Sequence, residues 1–176
     1  MYRRGFTIVE LIIVVTIMGI LLVLGVVNLQ ASQTSARDTE RRVDIEAIGL
    51  NLDNFYTSGN PSGTTFGRYA STGIIGQETT ILRDIDPKSL TAPGQTTSSL
   101  VAATCMGVCG QTTATVTPTP TINTYVYQPL QPNGTLCIND TQDCRKYNLY
   151  YALETATISE TCPSPGFVCK VTSKNQ

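Results

Sequence analysis

The chain has 176 residues, 41% of them hydrophobic, a formal net charge of −1 and no histidine. Near-neutral charge without a run of five or six basic residues gives no electrostatic reason to expect dedicated nucleic-acid binding. The lack of histidine removes the commonest general base, every histidine-containing triad and every histidine metal ligand, so an enzymatic reading starts at a disadvantage.

The chain opens MYRRGFTIVE, and residues 6–27 are almost entirely apolar. As a helix, these 22 residues cover the roughly 30 Å of a bilayer's hydrocarbon. Arg3 and Arg4 precede the stretch and no basic residue follows until Arg37, which places the N-terminus in the cytoplasm and the remainder outside. No A-x-A-like cleavage site closes the apolar run, as it would in an ordinary secretory signal. A plain signal anchor leaves Glu10 unexplained: it is the only ionisable side chain in the stretch, and a carboxylate there costs about 2.5–3.5 kcal/mol.

Gly5-Phe6-Thr7-Ile8-Val9-Glu10, after two arginines and before a long apolar run, resembles the leader and mature N-terminus of type IV prepilins and related pseudopilins. The resemblance implies cleavage between Gly5 and Phe6 by a membrane prepilin peptidase, which also methylates the new Phe6 amine, leaving a mature chain of residues 6–176. It further implies that the Glu10 carboxylate attracts the Phe6 amine of a neighbouring subunit and sets subunit registry. Two charges that are each costly in a low-dielectric medium compensate one another when paired. The partners implied are further copies of the chain in a helical filament, an assembly machinery with an ATPase and a platform protein, and a surface receptor that the residues do not identify.

Helical patterning continues past the apolar run. Residues 28–56 contain no proline and one glycine, Gly49, and Ile45, Ile48, Leu52 and Phe55 recur on one helical face, which predicts packing against the downstream chain. Asp38 with Arg42, Arg37 with Glu40 and Arg41 with Asp44 are spaced to pair across the exposed helix surface. Gly19 and Gly25 mark points where the apolar half can bend, or where small residues allow close helix packing. The proline that pilins often carry in this region is missing.

Residues 57–76 read as a glycine-rich loop, and residues 81–87 as a short helix or turn in which Asp84 and Asp86 are solvated. Residues 111–121, QTTATVTPTPT, are expected to be extended and exposed, with O-linked sugar as a compositional alternative to a bare loop. Strands are predicted at 123–128, 147–154 and 167–171. The six cysteines fall as close pairs, Cys105 with Cys109, Cys137 with Cys144 and Cys162 with Cys169, in the polar half of the chain. Their position there suggests disulfides outside the cytoplasm, and sequential pairing is the simplest of 15 connectivities. Asn139, Asp140 and Asp143 crowd one loop and form a candidate Ca²⁺ site, although turns favour Asn and Asp for backbone reasons alone. No cofactor is expected.

These features predict an α+β fold: a long N-terminal helix packed on a small antiparallel sheet with disulfide-closed loops. The expected divisions are a leader at 1–5, a transmembrane and assembly helix at 6–28, its amphipathic continuation at 29–56, and a loop-rich extracellular head at 57–176. The leading functional expectation is a structural subunit of a type IV pilus serving adhesion, twitching motility or DNA uptake, held in the cytoplasmic membrane before assembly and exposed on the cell surface after it. A pseudopilin of a type II secretion or competence system is the alternative. A membrane-anchored extracellular enzyme or binding module predicts a catalytic constellation, and the residues display none.

Overall fold

The computed structural model describes residues 5–155, 159, 162 and 167–174, apart from the side chains at 27 and 28. Arg3, Arg4 and the rest of leader residues 1–4 lie outside them, as does most of the interior of the Cys162–Cys169 loop. Helix α1 spans Ile8–Ser58. It ends where Gly59, at φ +74°, donates its amide to Phe55 O at 2.7 Å, a left-handed C-terminal cap that glycine adopts without steric cost. The chain divides into two compact units, Met1–Ala36 and Arg37–Gln176.

In the first unit every described side chain from 5 to 26 is exposed, so this part of α1 has no core of its own. In the second, Ile45, Ile48, Leu52 and Phe55 are buried together, on the face their spacing predicts. They pack on a four-stranded sheet of order β1-β2-β3-β4, with β1 at Leu100–Ala102, β2 at Tyr125–Leu130, β3 at Lys146–Ala152 and β4 at Val168–Thr172. Period-two alternation sends Tyr125, Tyr127, Tyr147, Leu149, Tyr151 and Cys169 into the core shared with α1.

The sheet is mixed rather than antiparallel as expected, because β1 runs parallel to β2. A parallel neighbour needs a crossover connection, and residues 103–124 supply it. That connection corrects a second expectation. Thr117 and Thr119 of the threonine-rich stretch are exposed, but Val116 is buried with Ala103, Val126 and Tyr150 in a smaller core on the sheet's outer face. The loop at 57–76 is likewise anchored: Tyr69 is buried edge-to-face on Tyr147 with ring centroids 4.8 Å apart, and Tyr127 Oη donates to Ala70 O at 2.6 Å. Short helical turns occur at Thr72–Ile74, at α2, Glu78–Ile81, and at Pro87–Leu90, where Asp86 caps the turn by accepting from the Lys88 amide at 2.9 Å.

The charged turn of α1 is not a solvated surface. Arg41 is 1% exposed, and its guanidinium donates to Asp38 Oδ1 at 2.9 Å, Glu154 Oε1 at 2.8 Å and Ile122 O at 2.9 Å. Arg37 grips both oxygens of Glu154 at 2.7 and 2.6 Å. Asp38 accepts the amides of Glu154 and Thr155 at 2.8 and 2.9 Å and also the Thr155 hydroxyl. Arg37 thus reaches past its helical neighbours to the end of β3 in a bidentate fork, and Arg41 bridges its helical neighbour Asp38 to the same carboxylate.

The charges follow from this geometry. Hydrogen bonding from Arg37 lowers the Glu154 carboxyl to about 2 against the opposing effect of burial, with Arg41 adding to the lowering. Burial pushes Asp38 up, but the Thr155 hydroxyl, the two amides and Arg41 together bring it below its ordinary value. Asp44 behaves in the opposite way: burial pushes it up to about 6, against the Tyr125 hydroxyl that donates to it at 3.0 Å.

Leu52→Ala is expected to cost about 2–5 kcal/mol by removing a fully buried side chain from the helix–sheet core, measured by denaturant unfolding of the detergent-solubilised chain. Arg41→Ala is expected to cost about 3–5 kcal/mol in the same assay, because it leaves buried carboxylate oxygens without their counter-charge. Stability should also fall as pH rises from the ordinary Asp value of 3.8 through about 6, since the folded state holds the Asp44 proton more tightly than the unfolded chain does. Glu154 acts in the other direction: its contribution is present above the ordinary 4.5 and is lost as pH falls towards about 2. Asp44→Asn should abolish the loss between pH 4 and 6 and leave the acid limb in place, read from melting temperature against pH.

Candidate functional site

The N-terminal end of α1 is built by four residues. Thr7 is the N-cap: its Oγ1 accepts the Glu10 amide at 3.2 Å, and Glu10 Oε2 accepts the Thr7 amide at 3.2 Å and the Thr7 hydroxyl at 3.0 Å. This reciprocal capping box satisfies donors that the first turn of any helix leaves unpaired. Its signal, T-x-x-E ahead of an apolar run, stands in the sequence as Thr7-Ile8-Val9-Glu10. Glu10 therefore has a structural task within its own chain, in addition to the registry role expected from the resemblance.

The capping box uses part of the carboxylate's capacity. An ionised carboxylate offers about four lone-pair sites, and Thr7 brings two donors, neither of them charged. A full negative charge stays at the helix N-terminus, exposed in the isolated chain beside Gly5 and Phe6, which are exposed as well. Among the described residues an added Cβ at Gly5, Gly19 or Gly25 would meet nothing within 4 Å. Helix α1 runs through Gly19 and Gly25.

The other candidates lie in the second unit. Asp140 Oδ1 accepts the Ser71 hydroxyl at 2.6 Å, while Asn139 Oδ1 takes the Thr141 hydroxyl at 2.6 Å and amide at 3.2 Å. Asp143 Oδ1 faces Arg145 Nε at 2.7 Å and Arg68 Nε at 3.2 Å, and the hydrogen bond to Asp143 is the main reason the Arg145 guanidinium is held above its ordinary value. Each of the three oxygen donors is thus engaged with its own protein partner. Among the described residues no group of three or more His, Cys, Asp or Glu side chains is placed to hold a metal ion. The loop's acidic and amide groups serve as turn and tether: they hold the 68–73 segment, whose Tyr69 and Thr72 amides donate to Cys144 O at 2.8 Å and Cys137 O at 2.9 Å.

Disulfides join Cys105 to Cys109, Cys137 to Cys144 and Cys162 to Cys169. The latter two pairs are buried in the main core, where they replace hydrophobic bulk in a small domain. What the N-terminus offers is a processing motif and a capped helix whose carboxylate, among the described residues, meets only the neutral donors of Thr7.

Among the described residues one helix, Ile8–Ser58, is long and apolar enough to cross a membrane. Residues 1–26 match the family model of the prokaryotic N-terminal methylation motif. Comparison with curated proteins returns no match, and neither does comparison with solved structures. The matched segment contains the Gly5–Phe6 junction, Thr7 and Glu10 and runs to the end of the exposed apolar stretch, and such a motif implies processing by a prepilin peptidase and handling by an assembly machinery. Over these 26 residues the chain carries a prepilin-type N-terminal methylation motif.

Proposed function

We propose that this chain is a structural subunit of a type IV pilus. Cleavage between Gly5 and Phe6 frees an amine that is then methylated, and the apolar half of α1 passes from the membrane into the centre of a filament of identical copies. The observation that carries the reading is Glu10, the only ionisable side chain of the apolar segment 6–27, lying inside the matched motif with an exposed carboxylate. The Phe6 amine of a neighbouring copy is the cation that fits it, because the amine is created by the same processing step and both charges are costly in the bilayer. The precursor then sits in the cytoplasmic membrane with its N-terminus inside, and the assembled form lies on the cell surface. Adhesion, twitching motility and DNA uptake are the activities such a filament serves.

A pseudopilin of a secretion or competence system shares every N-terminal feature. The threonine-rich surface with Thr117 and Thr119 exposed, and three disulfides outside the membrane segment, favour the extracellular filament. In the filament Gly19 and Gly25 either let α1 loosen or let neighbouring helices approach closely.

N-terminal sequencing of sheared surface material should begin at N-methylated Phe6; an intact Met1 would refute the processing step. The two roles of Glu10 are separable by substitution. Glu10→Gln keeps a side chain that completes a capping box but removes the charge, whereas Glu10→Ala removes both and adds a capping loss of about 1 kcal/mol. Both variants should insert and be cleaved, and both should be depleted from filaments by tenfold or more (an order-of-magnitude figure, about 1.4 kcal/mol of lost pairing) when coexpressed with the unmodified chain. Normal incorporation of Glu10→Gln would sink the registry role while leaving the cap intact.

A further inference from the structure

The three disulfides differ in what surrounds them. Cys137, Cys144, Cys162 and Cys169 are all at most 2% exposed and belong to the main core. Cys105 and Cys109 belong to neither core cluster and are half-buried, in a five-residue loop, CMGVC, whose Met106 is 100% exposed and whose Gly107, at φ +68°, turns the chain outward. The bond bridges the short loop and carries none of the sheet's packing.

The flanks of this loop are held by other bonds. Thr104 donates its amide to Thr117 O at 2.7 Å, Ala103 donates to Tyr127 O at 2.8 Å, and Cys109 donates to Gly134 O at 2.8 Å. Gln111 Nε2 reaches Thr104 O at 2.9 Å, and Val108 bridges to Thr135. Opening the Cys105–Cys109 bond therefore frees one exposed turn without releasing the strands on either side of it. Opening either core disulfide requires the core itself to open first.

We infer that Cys105–Cys109 is a thiol-exchange site on the head, the bond that a small dithiol or monothiol reaches in the folded protein. A thiolate attacks one sulfur along the S–S axis, forming a mixed disulfide and releasing the other cysteine as a thiolate, which takes up a proton. A second thiol, or the second sulfhydryl of a dithiol, then displaces the mixed disulfide. The protein gains two electrons and two protons, and the reductant leaves as its own disulfide. With a monothiol present in excess the mixed disulfide persists, so the loop becomes a reversible covalent attachment point beside an exposed thioether.

The inference is independent of the filament reading. Its test is to expose the full-length, detergent-solubilised chain to dithiothreitol under native conditions, quench with N-ethylmaleimide at intervals, and map the label by peptide mass spectrometry. Cys105 and Cys109 should be labelled about 100-fold or more faster than the other cysteines, because exchange at a buried bond waits on unfolding, with the far-ultraviolet circular dichroism unchanged. Glutathione in place of dithiothreitol should yield a glutathione adduct on Cys105 or Cys109. Labelling of Cys137, Cys144, Cys162 or Cys169 at a comparable rate, or no labelling of Cys105 and Cys109 until denaturant is added, would overturn it. The Cys105→Ser/Cys109→Ser variant adds a control: it should take up no label in dithiothreitol while folded, and fast label elsewhere in it would equally refute the assignment.

Discussion

Arg41 carries a guanidinium that is almost wholly out of water, and such a group is tolerated only where each face of its fork finds an acceptor. Asp38 supplies one from the same helix, Glu154 another from just past β3, and Ile122 a third from the approach to β2. Two segments far apart in the chain are thereby fixed to one turn of α1. The apolar stripe from Ile45 to Phe55 supplies most of the driving force for closing the head, but apolar contact alone is non-directional. The guanidinium adds direction, because the end of β3 and the chain entering β2 must meet the helix at that turn for Arg41 to be satisfied.

The two functionally telling charges of α1 are handled in contrasting ways. Arg41 is compensated within its own chain by two carboxylates and a carbonyl. Glu10 is met by the amide and hydroxyl of Thr7, which are neutral donors. A buried charge paired at home is architecture, whereas a charge at the N-terminus of an apolar helix that meets only neutral donors among the described residues retains the capacity to bind a cation from outside. That distinction gives the N-terminal motif its physical content: the capping box keeps the carboxylate in place, and in the proposed filament the processed N-terminus of a neighbour is the amine that meets it.

The legible parts of the fold were those written in local periodicity. Ile45, Ile48, Leu52 and Phe55 share a helical face by spacing alone, and the tyrosine-rich stretches around Tyr127 and Tyr150 alternate as strands do. Leu100–Ala102 was missed because three residues display no period. Spacing alone pairs Arg37 with Glu40 and Arg41 with Asp44, each three residues on, since local spacing cannot reveal a carboxylate more than 110 residues downstream. Val116 was read with its polar surroundings as exposed; it is buried because the crossover to a parallel strand lays it over the sheet's outer face. At the candidate site, Gly5, Phe6 and Glu10 are legible as a motif, and the pairing of Glu10 with Thr7 is written in four consecutive letters, although the charge of Glu10 draws attention to partners outside the chain rather than to its own cap.

The amino-acid sequence by itself determined the membrane-length apolar helix, its lone carboxylate, the junction at Gly5–Phe6 and the core face of α1, because each depends on residues within a few positions of one another. Tertiary structure alone decided that β1 joins the sheet in parallel, that the charged turn of α1 is buried against Glu154, and that one disulfide of three stands at the surface. Those outcomes depend on which distant segments compete for the same face of the sheet and the same turn of the helix, and that competition is settled by packing and by the cost of leaving a buried polar group unpaired.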